Sequence, residues 1–203
     1  MPLDVHTSEL LADFAQGDGK PLEEMSPDEA RAFGATFAES DGPAPEMARI
    51  EEHSLSRPDG EVLLRILVPI EPPLGVIVYY HGGGWVLGSI DETDTLARKL
   101  AERTSCAVVL VEYRLAPEHP YPTPVDDSYA ALEWVSENQH DIVGQDVPLI
   151  VAGDSAGGTL AAVMALRARD HNGPQIALQV LIYPVTDCDF ERPSYSDPDN
   201  QLL

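Results

Sequence analysis

Ten residues, Leu149-Ile150-Val151-Ala152-Gly153-Asp154-Ser155-Ala156-Gly157-Gly158, constrain this chain more than any other stretch. An apolar run passes through a serine bracketed by glycines into an apolar-periodic segment, so a strand must turn sharply into a helix. In such a G-x-S-x-G corner Gly153 and Gly157 remove side chains that would collide as the backbone reverses. Ser155 is held in a tight turn with its Oγ exposed, and the helix that follows directs its free N-terminal amides at the same place. An oxyanion formed by attack of Ser155 on a carbonyl would meet the Ala156 N–H already in position. The competing reading is a glycine-rich surface turn, and the strand before and the helix after argue against it.

A second motif stands at the end of another apolar run. Gly75-Val76-Ile77-Val78-Tyr79-Tyr80 has the character of a strand buried on both faces, and His81-Gly82-Gly83-Gly84-Trp85 follows it directly. Composition alone gives H-G-G-G in only roughly 0.1 to 0.2% of chains this long, so a chance flexible loop is a poor explanation. Three successive glycines leave their N–H groups unhindered, as a two-sided oxyanion hole requires.

The rest of the chain reads as alternating elements. Residues 49–55 and 61–68, split by Arg57-Pro58-Asp59-Gly60, predict an antiparallel hairpin. Helices are expected at about 91–103, 123–138 (Val125, Tyr129, Leu132 and Val135 inward) and 156–170, and strands at 106–111, 149–152 and 176–182. Strands alternating with helices predict an α/β fold, a mostly parallel sheet covered on both faces. Before them, Ser26-Pro27-Asp28-Glu29 marks a helix start, with Ala30, Phe33, Phe37 and Ala38 on one face and Gly42-Pro43 as its end. A weaker helix covers about 8–16, with Leu10, Leu11 and Phe14 inward. Residues 1–45 are thus expected to be a helical segment, either packed on the domain or capping its site, and 46–203 the core.

Charge excludes some partners. Thirty-five acidic against 12 basic residues give a net charge of −23, which opposes binding to nucleic acid or to anionic membrane. Only Lys20 and Lys99 are lysines, and an acidic, lysine-poor surface would suit a salty medium. With no long apolar run and no basic, apolar leader, a cytoplasmic protein without membrane insertion is expected. Cys106 reads as a small core residue and Cys188 as a loop residue, and neither has metal-ligand spacing. No metal or cofactor is called for.

His81-Gly82-Gly83-Gly84-Trp85 with Gly88-Ser89, Glu112 through Pro122 (E-Y-R-L-A-P-E-H-P-Y-P), Asp126-Asp127, Gly153 through Gly158 and Tyr183-Pro184 together resemble the hormone-sensitive-lipase-like carboxylesterases, a bacterial branch of the α/β-hydrolases. The resemblance implies a serine esterase acting on small esters of short to medium acyl chains, with a cap built partly from N-terminal helices. It implies Ser155 as nucleophile and the amides of Gly83, Gly84 and Ala156 as the oxyanion hole. Gly82, Gly153, Asp154 and Gly157 support them, His81 orients the glycine loop without acting as base, and Arg114 to Pro122 buttresses the site.

In this fold the acid and the histidine of the triad follow the serine. His171 lies ~24 Å away if the elbow helix is regular, too far for proton transfer, and His119 and His140 precede the serine. Asp187, Asp189, Asp197 and Asp199 follow strand 176–182 too closely. The chain is therefore expected to be about the N-terminal two-thirds of an esterase, with six strands of eight, no triad Asp or His, and little activity alone. Strand 176–182 would be an exposed, apolar edge. A non-catalytic ligand-binding protein of the same fold, and an amidase or peptidase, remain open, as do acyl preference and oligomeric state, a homodimer included.

Overall fold

A computed structural model describes residues 4, 5, 8, 20, 22–36, 42–189 and 191–193. Two compact units are present, one of Met1–Ser26 with Asp187–Leu203 and the other Pro27–Thr186. The first contains a short 3-10 turn, Leu22–Glu24, and an ion pair of Arg192 with Asp187. The expected helix over 8–16, with Leu10, Leu11 and Phe14, and the positions of Phe37, Ala38, Asp197 and Asp199 lie outside the described residues.

The larger unit is built on six strands: β1 (Arg49–Arg57), β2 (Gly60–Val68), β3 (Val76–Tyr80), β4 (Ala107–Glu112), β5 (Leu149–Asp154) and β6 (Leu178–Ile182). Their order in the sheet is β1-β2-β4-β3-β5-β6. β1 and β2 form the expected hairpin, paired from Arg49↔Val68 to Arg57↔Gly60. β2 meets β4 antiparallel, and the β4–β3, β3–β5 and β5–β6 pairs are all parallel. The last strand starts at Leu178, two residues later than expected from the apolar run, with Ala177 N–H donating to Leu149 C=O just before it.

Helices cover both faces, as the alternation predicts. α1 (Pro27–Ala35) precedes the sheet; α2 (Ile90–Thr104), α3 (Thr123–Glu137), a short α4 (Gln139–Val143) and α5 (Ala156–Asp170) lie between strands. Alternation along the central strands divides the core in two. Val76, Val78, Tyr80, Val109, Val111 and Val151 face Tyr129, Leu132 and Val135 of α3 and Leu160 and Met164 of α5. Ile77, Tyr79, Val108 and Leu110 face Ile90, Ala97 and Ala101 of α2, with Cys106 closing that side. α1 is a correction in detail: Ala30 is buried, but Phe33, expected inward, is 39% exposed. That helix is held instead through Arg31, a polar anchor that apolar periodicity cannot reveal.

Among the described residues, no helix is long and apolar enough to cross a membrane. No cluster of potential metal ligands occurs among them either.

Candidate active site

The crossover from β3 through α2 to β4 runs to one side of β3, and the crossover from β4 through α3 to β5 returns to the other. The C-terminal ends of β3 and β5 thus meet at the point where strand order reverses, the place where an open α/β sheet forms a crevice. Tyr80 and Gly153 are direct partners there. The two motifs, far apart in sequence, leave the sheet side by side.

At the end of β5, Ser155 has φ 50° and ψ −120°, a conformation a residue with a Cβ avoids. Three hydrogen bonds hold it there: Ser155 N–H donates to Ile182 C=O of β6 at 2.9 Å, and the Thr159 N–H and hydroxyl donate to Ser155 C=O at 3.1 and 3.3 Å. The Thr159 hydroxyl adds a bond to Val185 C=O at 2.8 Å. Ala156 begins α5, so its N–H has no carbonyl one turn behind it. Among the described residues Ser155 is bonded through its backbone alone, and no imidazole is hydrogen-bonded to its hydroxyl.

Glycine at 157 is required by close approach. A Cβ there would fall 1.9 Å from Tyr80 C=O and 2.5 Å from His81 C=O, so the elbow is seated directly against the start of the glycine loop. Gly83 is required by conformation as well: φ is 108°, and a Cβ would strike Leu87 C=O at 2.2 Å. Its carbonyl accepts from Val86 N–H at 3.0 Å and Leu87 N–H at 2.8 Å, which turns the loop back. Among the described residues the Gly83 and Gly84 amides donate to no backbone carbonyl.

Three side chains fix this loop. Asp154 Oδ1 accepts from Gly82 N–H at 3.1 Å and from the Tyr79 hydroxyl at 2.9 Å. Burial foremost, then the Asp154 carboxylate, pushes the Tyr79 phenol far above its ordinary value, so it stays a donor. The Tyr113 hydroxyl donates to His81 C=O at 2.7 Å, and its ring stacks on the His81 imidazole at 4.4 Å. His81 is 3% exposed, with Nδ1 2.7 Å from Gly82 C=O. Burial lowers its pKa, so the ring is neutral with the proton on Nδ1, donated to that carbonyl. A buried neutral imidazole bonded to the backbone holds the loop in shape.

The loop after β4 is supported from below. Asp127, fully buried on α3, accepts from Arg114 N–H at 3.1 Å, Nε at 2.8 Å and Nη2 at 2.8 Å, with Arg57 Nε 3.7 Å away. A bidentate pair of this kind sets direction as well as distance. Arg114 is thereby fixed at the start of the Arg114–Pro122 loop, and Ala116 N–H donates to Trp85 C=O at 2.8 Å, joining that loop to the glycine loop.

Sequence reasoning named Ser155, Ala156, Gly82, Gly83, Gly84, His81, Asp154, Gly153 and Gly157, and the fold gathers all of them at the β3–β5 corner. His171 caps the far end of α5, edge-on to Tyr129, and His140 is exposed. Three contributors escaped it. Tyr79 stood in an apolar run and Tyr113 in the stretch Glu112 through Pro122 without a role of its own, and their hydroxyl contacts depend on which neighbours the sheet order supplies. Arg31 sits in a helix whose sequence signals only a cap and an apolar face.

A crevice at the strand crossover with a strained serine beside a glycine loop defines a class of protein, the α/β-hydrolases. The profile of a family described as alpha/beta hydrolase fold matches residues 77–203, more than half of the sequence, and the chain belongs to that family. Among characterised relatives it is 48% identical over 153 residues to carboxylesterase NlhH of Mycobacterium tuberculosis, covering 73% of this chain and 48% of that one. It is 40% identical over 196 residues to ethyl acetate hydrolase of Pseudomonas putida, covering 91% and 61%. Among solved structures, a hyperthermophilic esterase from the archaeon Pyrobaculum calidifontis superposes with a TM-score of 0.87 at 37% identity, covering all of this chain and 67% of that one. The chain spans about half the length of curated relatives it matches, such as the mycobacterial carboxylesterase.

Proposed function

We propose that this chain carries the nucleophile and oxyanion hole of a serine carboxylesterase for esters of short to medium acyl chains. A general base outside the described residues takes the Ser155 proton as Oγ attacks the ester carbonyl, the amides of Gly83, Gly84 and Ala156 receive the oxyanion, the base returns the proton to the departing alcohol, and water, activated in the same way, resolves the acyl-enzyme. His81, Gly82, Asp154, Gly153 and Gly157 keep the two corners in register. The observation that carries this reading is the seating of Gly157 against the Tyr80 and His81 carbonyls, which brings free helix-terminal and glycine-loop amides to one half-buried, strained serine. The relatives' names, carboxylesterase and ethyl acetate hydrolase, point to the same substrates. Within the expected 1–45 cap segment, α1 is bonded to the glycine loop through Arg31, which supports a capping role for that helix. The chemistry requires no metal or organic cofactor, and the reaction takes place in the cytoplasm.

Among the described residues no imidazole or carboxylate is hydrogen-bonded to the Ser155 hydroxyl. The test is burst kinetics with p-nitrophenyl acetate and butyrate, with Ser155→Ala alongside. Equal rates for the two proteins would end the proposal. A second reading, a ligand-binding protein of this fold without turnover, is favoured by the lack of an imidazole on the Ser155 hydroxyl among the described residues. Saturable binding of an ester with no product would select it. Faster cleavage of p-nitroanilides than of esters would select an amidase.

A further inference from the structure

Arg31 of α1 occupies an unusual position for a helix surface residue. Its Nε donates to Val86 C=O at 2.8 Å and its Nη2 to Ala116 C=O at 2.9 Å. Nη1 and Nη2 also donate to Glu118 at 2.9 and 2.8 Å. The two carbonyls belong to two different loops, and those loops are already joined, since Ala116 N–H donates to Trp85 C=O. Val86 is pinned from both sides, its N–H on Gly83 C=O and its own carbonyl on Arg31. The bonds close a circuit that runs from Arg31 to Val86, through Trp85 to Ala116, and back to Arg31. A planar guanidinium can serve two carbonyls and a carboxylate at once; an ammonium lacks that fork.

The two kinds of contact differ in weight. Glu118 has a half-exposed side chain and makes a surface ion pair, the sort that contributes little. The carbonyl bonds are partly buried and satisfy loop groups that no strand or helix pairs. Asp28, 3.7 Å from Nη1 with its side chain 92% exposed, is more marginal still.

We infer that Arg31 is a positioning residue of the oxyanion hole: by holding the Val86 and Ala116 carbonyls it fixes the turn that presents the Gly83 and Gly84 amides, so the helix before the sheet takes part in setting transition-state geometry. This rests on the reading of Ser155 and the glycine loop given above. The circuit acts on a charge that develops during reaction, so its loss lowers kcat and leaves KM nearly unchanged.

The experiment compares the parent protein with Arg31→Gln, Arg31→Lys, Glu118→Gln and Asp28→Asn. Turnover of p-nitrophenyl butyrate is normalised to Ser155 titrated with a fluorophosphonate, and amide hydrogen exchange is followed in segments 83–88 and 115–119 and in β1 and β4. Arg31→Gln is expected to lower kcat about tenfold with KM within about twofold, and to speed exchange in 83–88 and 115–119 but not in the strands. Arg31→Lys falls close to Arg31→Gln, because the fork and not the charge is what matters. Glu118→Gln and Asp28→Asn stay within about twofold of the parent. A kcat unchanged in Arg31→Gln, or exchange raised equally in β1 and β4, overturns the inference, the latter by showing a merely structural role. Should the parent protein show no turnover, the esterase reading fails, and exchange in 83–88 decides the clamp independently: unchanged protection there overturns it.

Discussion

The carboxylate of Asp154 accepts the amide proton of Gly82 at 3.1 Å, so the residue beside the elbow serine directly holds the loop that approaches it from the neighbouring strand. The same oxygen takes the Tyr79 hydroxyl. Asp154→Ala would leave two donors unpaired in a half-buried site, each costing about 1 to 3 kcal/mol. The expected outcome is a loss of about 2 to 4 kcal/mol in urea unfolding, with Asp154→Asn, which keeps one acceptor oxygen, losing less than half as much. A loss under about 0.5 kcal/mol in Asp154→Ala would mean that this link carries no stability.

Ser155 stores strain at φ 50° and ψ −120°. Residues held in such regions cost about 1 to 3 kcal/mol, and glycine relieves the steric part. Ser155→Gly is therefore expected to raise the unfolding free energy by about 1 kcal/mol while abolishing fluorophosphonate labelling. Calorimetry on the two proteins checks it, and a lower melting temperature for Ser155→Gly would count against the strain.

His81 gives a pH dependence. Burial holds its pKa below the ordinary 6.5 in the folded protein. Above pH about 6.5 the imidazole is neutral in both states and its contribution is complete; below that, the unfolded chain binds a proton that the folded one refuses. Stability therefore falls as pH drops from about 6.5 toward the lowered value. Urea midpoints of parent and His81→Asn, measured from pH 7.5 to 5.5, should converge at the acid end. A constant difference between them would remove His81 as the source. The Arg31–Glu118 pair stays charged throughout, since hydrogen bonding to Arg31 holds Glu118 down at about 2.

β6 ends the sheet among the described residues, with Leu178 54%, Val180 41% and Leu181 38% exposed. An apolar edge with open N–H and C=O groups invites pairing with another chain. Light scattering at raised concentration should show association, and Val180→Lys should suppress it with the melting temperature nearly unchanged. Equal scattering from the two proteins would show that the edge is protected.

How much of this was legible beforehand varies by element. β3 and β4 were plain because β-branched residues crowd into runs too short for helices. Two corner motifs were equally plain, since glycine is the only residue that fits where a Cβ would strike a carbonyl. α1 was legible as a helix from Ser26-Pro27-Asp28-Glu29, but its packing was not: Phe33 is exposed and Arg31 is the anchor. Asp127 could be flagged beside Asp126, yet nothing local shows that one is fully buried on two arginines while the other pairs with Arg167 nearer the surface.

By itself the sequence determined where the chain turns, which strands are buried on both faces, and which hydroxyl stands at a glycine-bracketed corner. These follow from backbone sterics and side-chain periodicity, which act over a few residues. Only the tertiary structure decided that β3 lies beside β5, and with that that Asp154 meets Gly82, Tyr113 meets His81 and Arg31 spans two loops. Such contacts depend on strand order, which arises from the whole core packing at once, and no short stretch of residues carries that information.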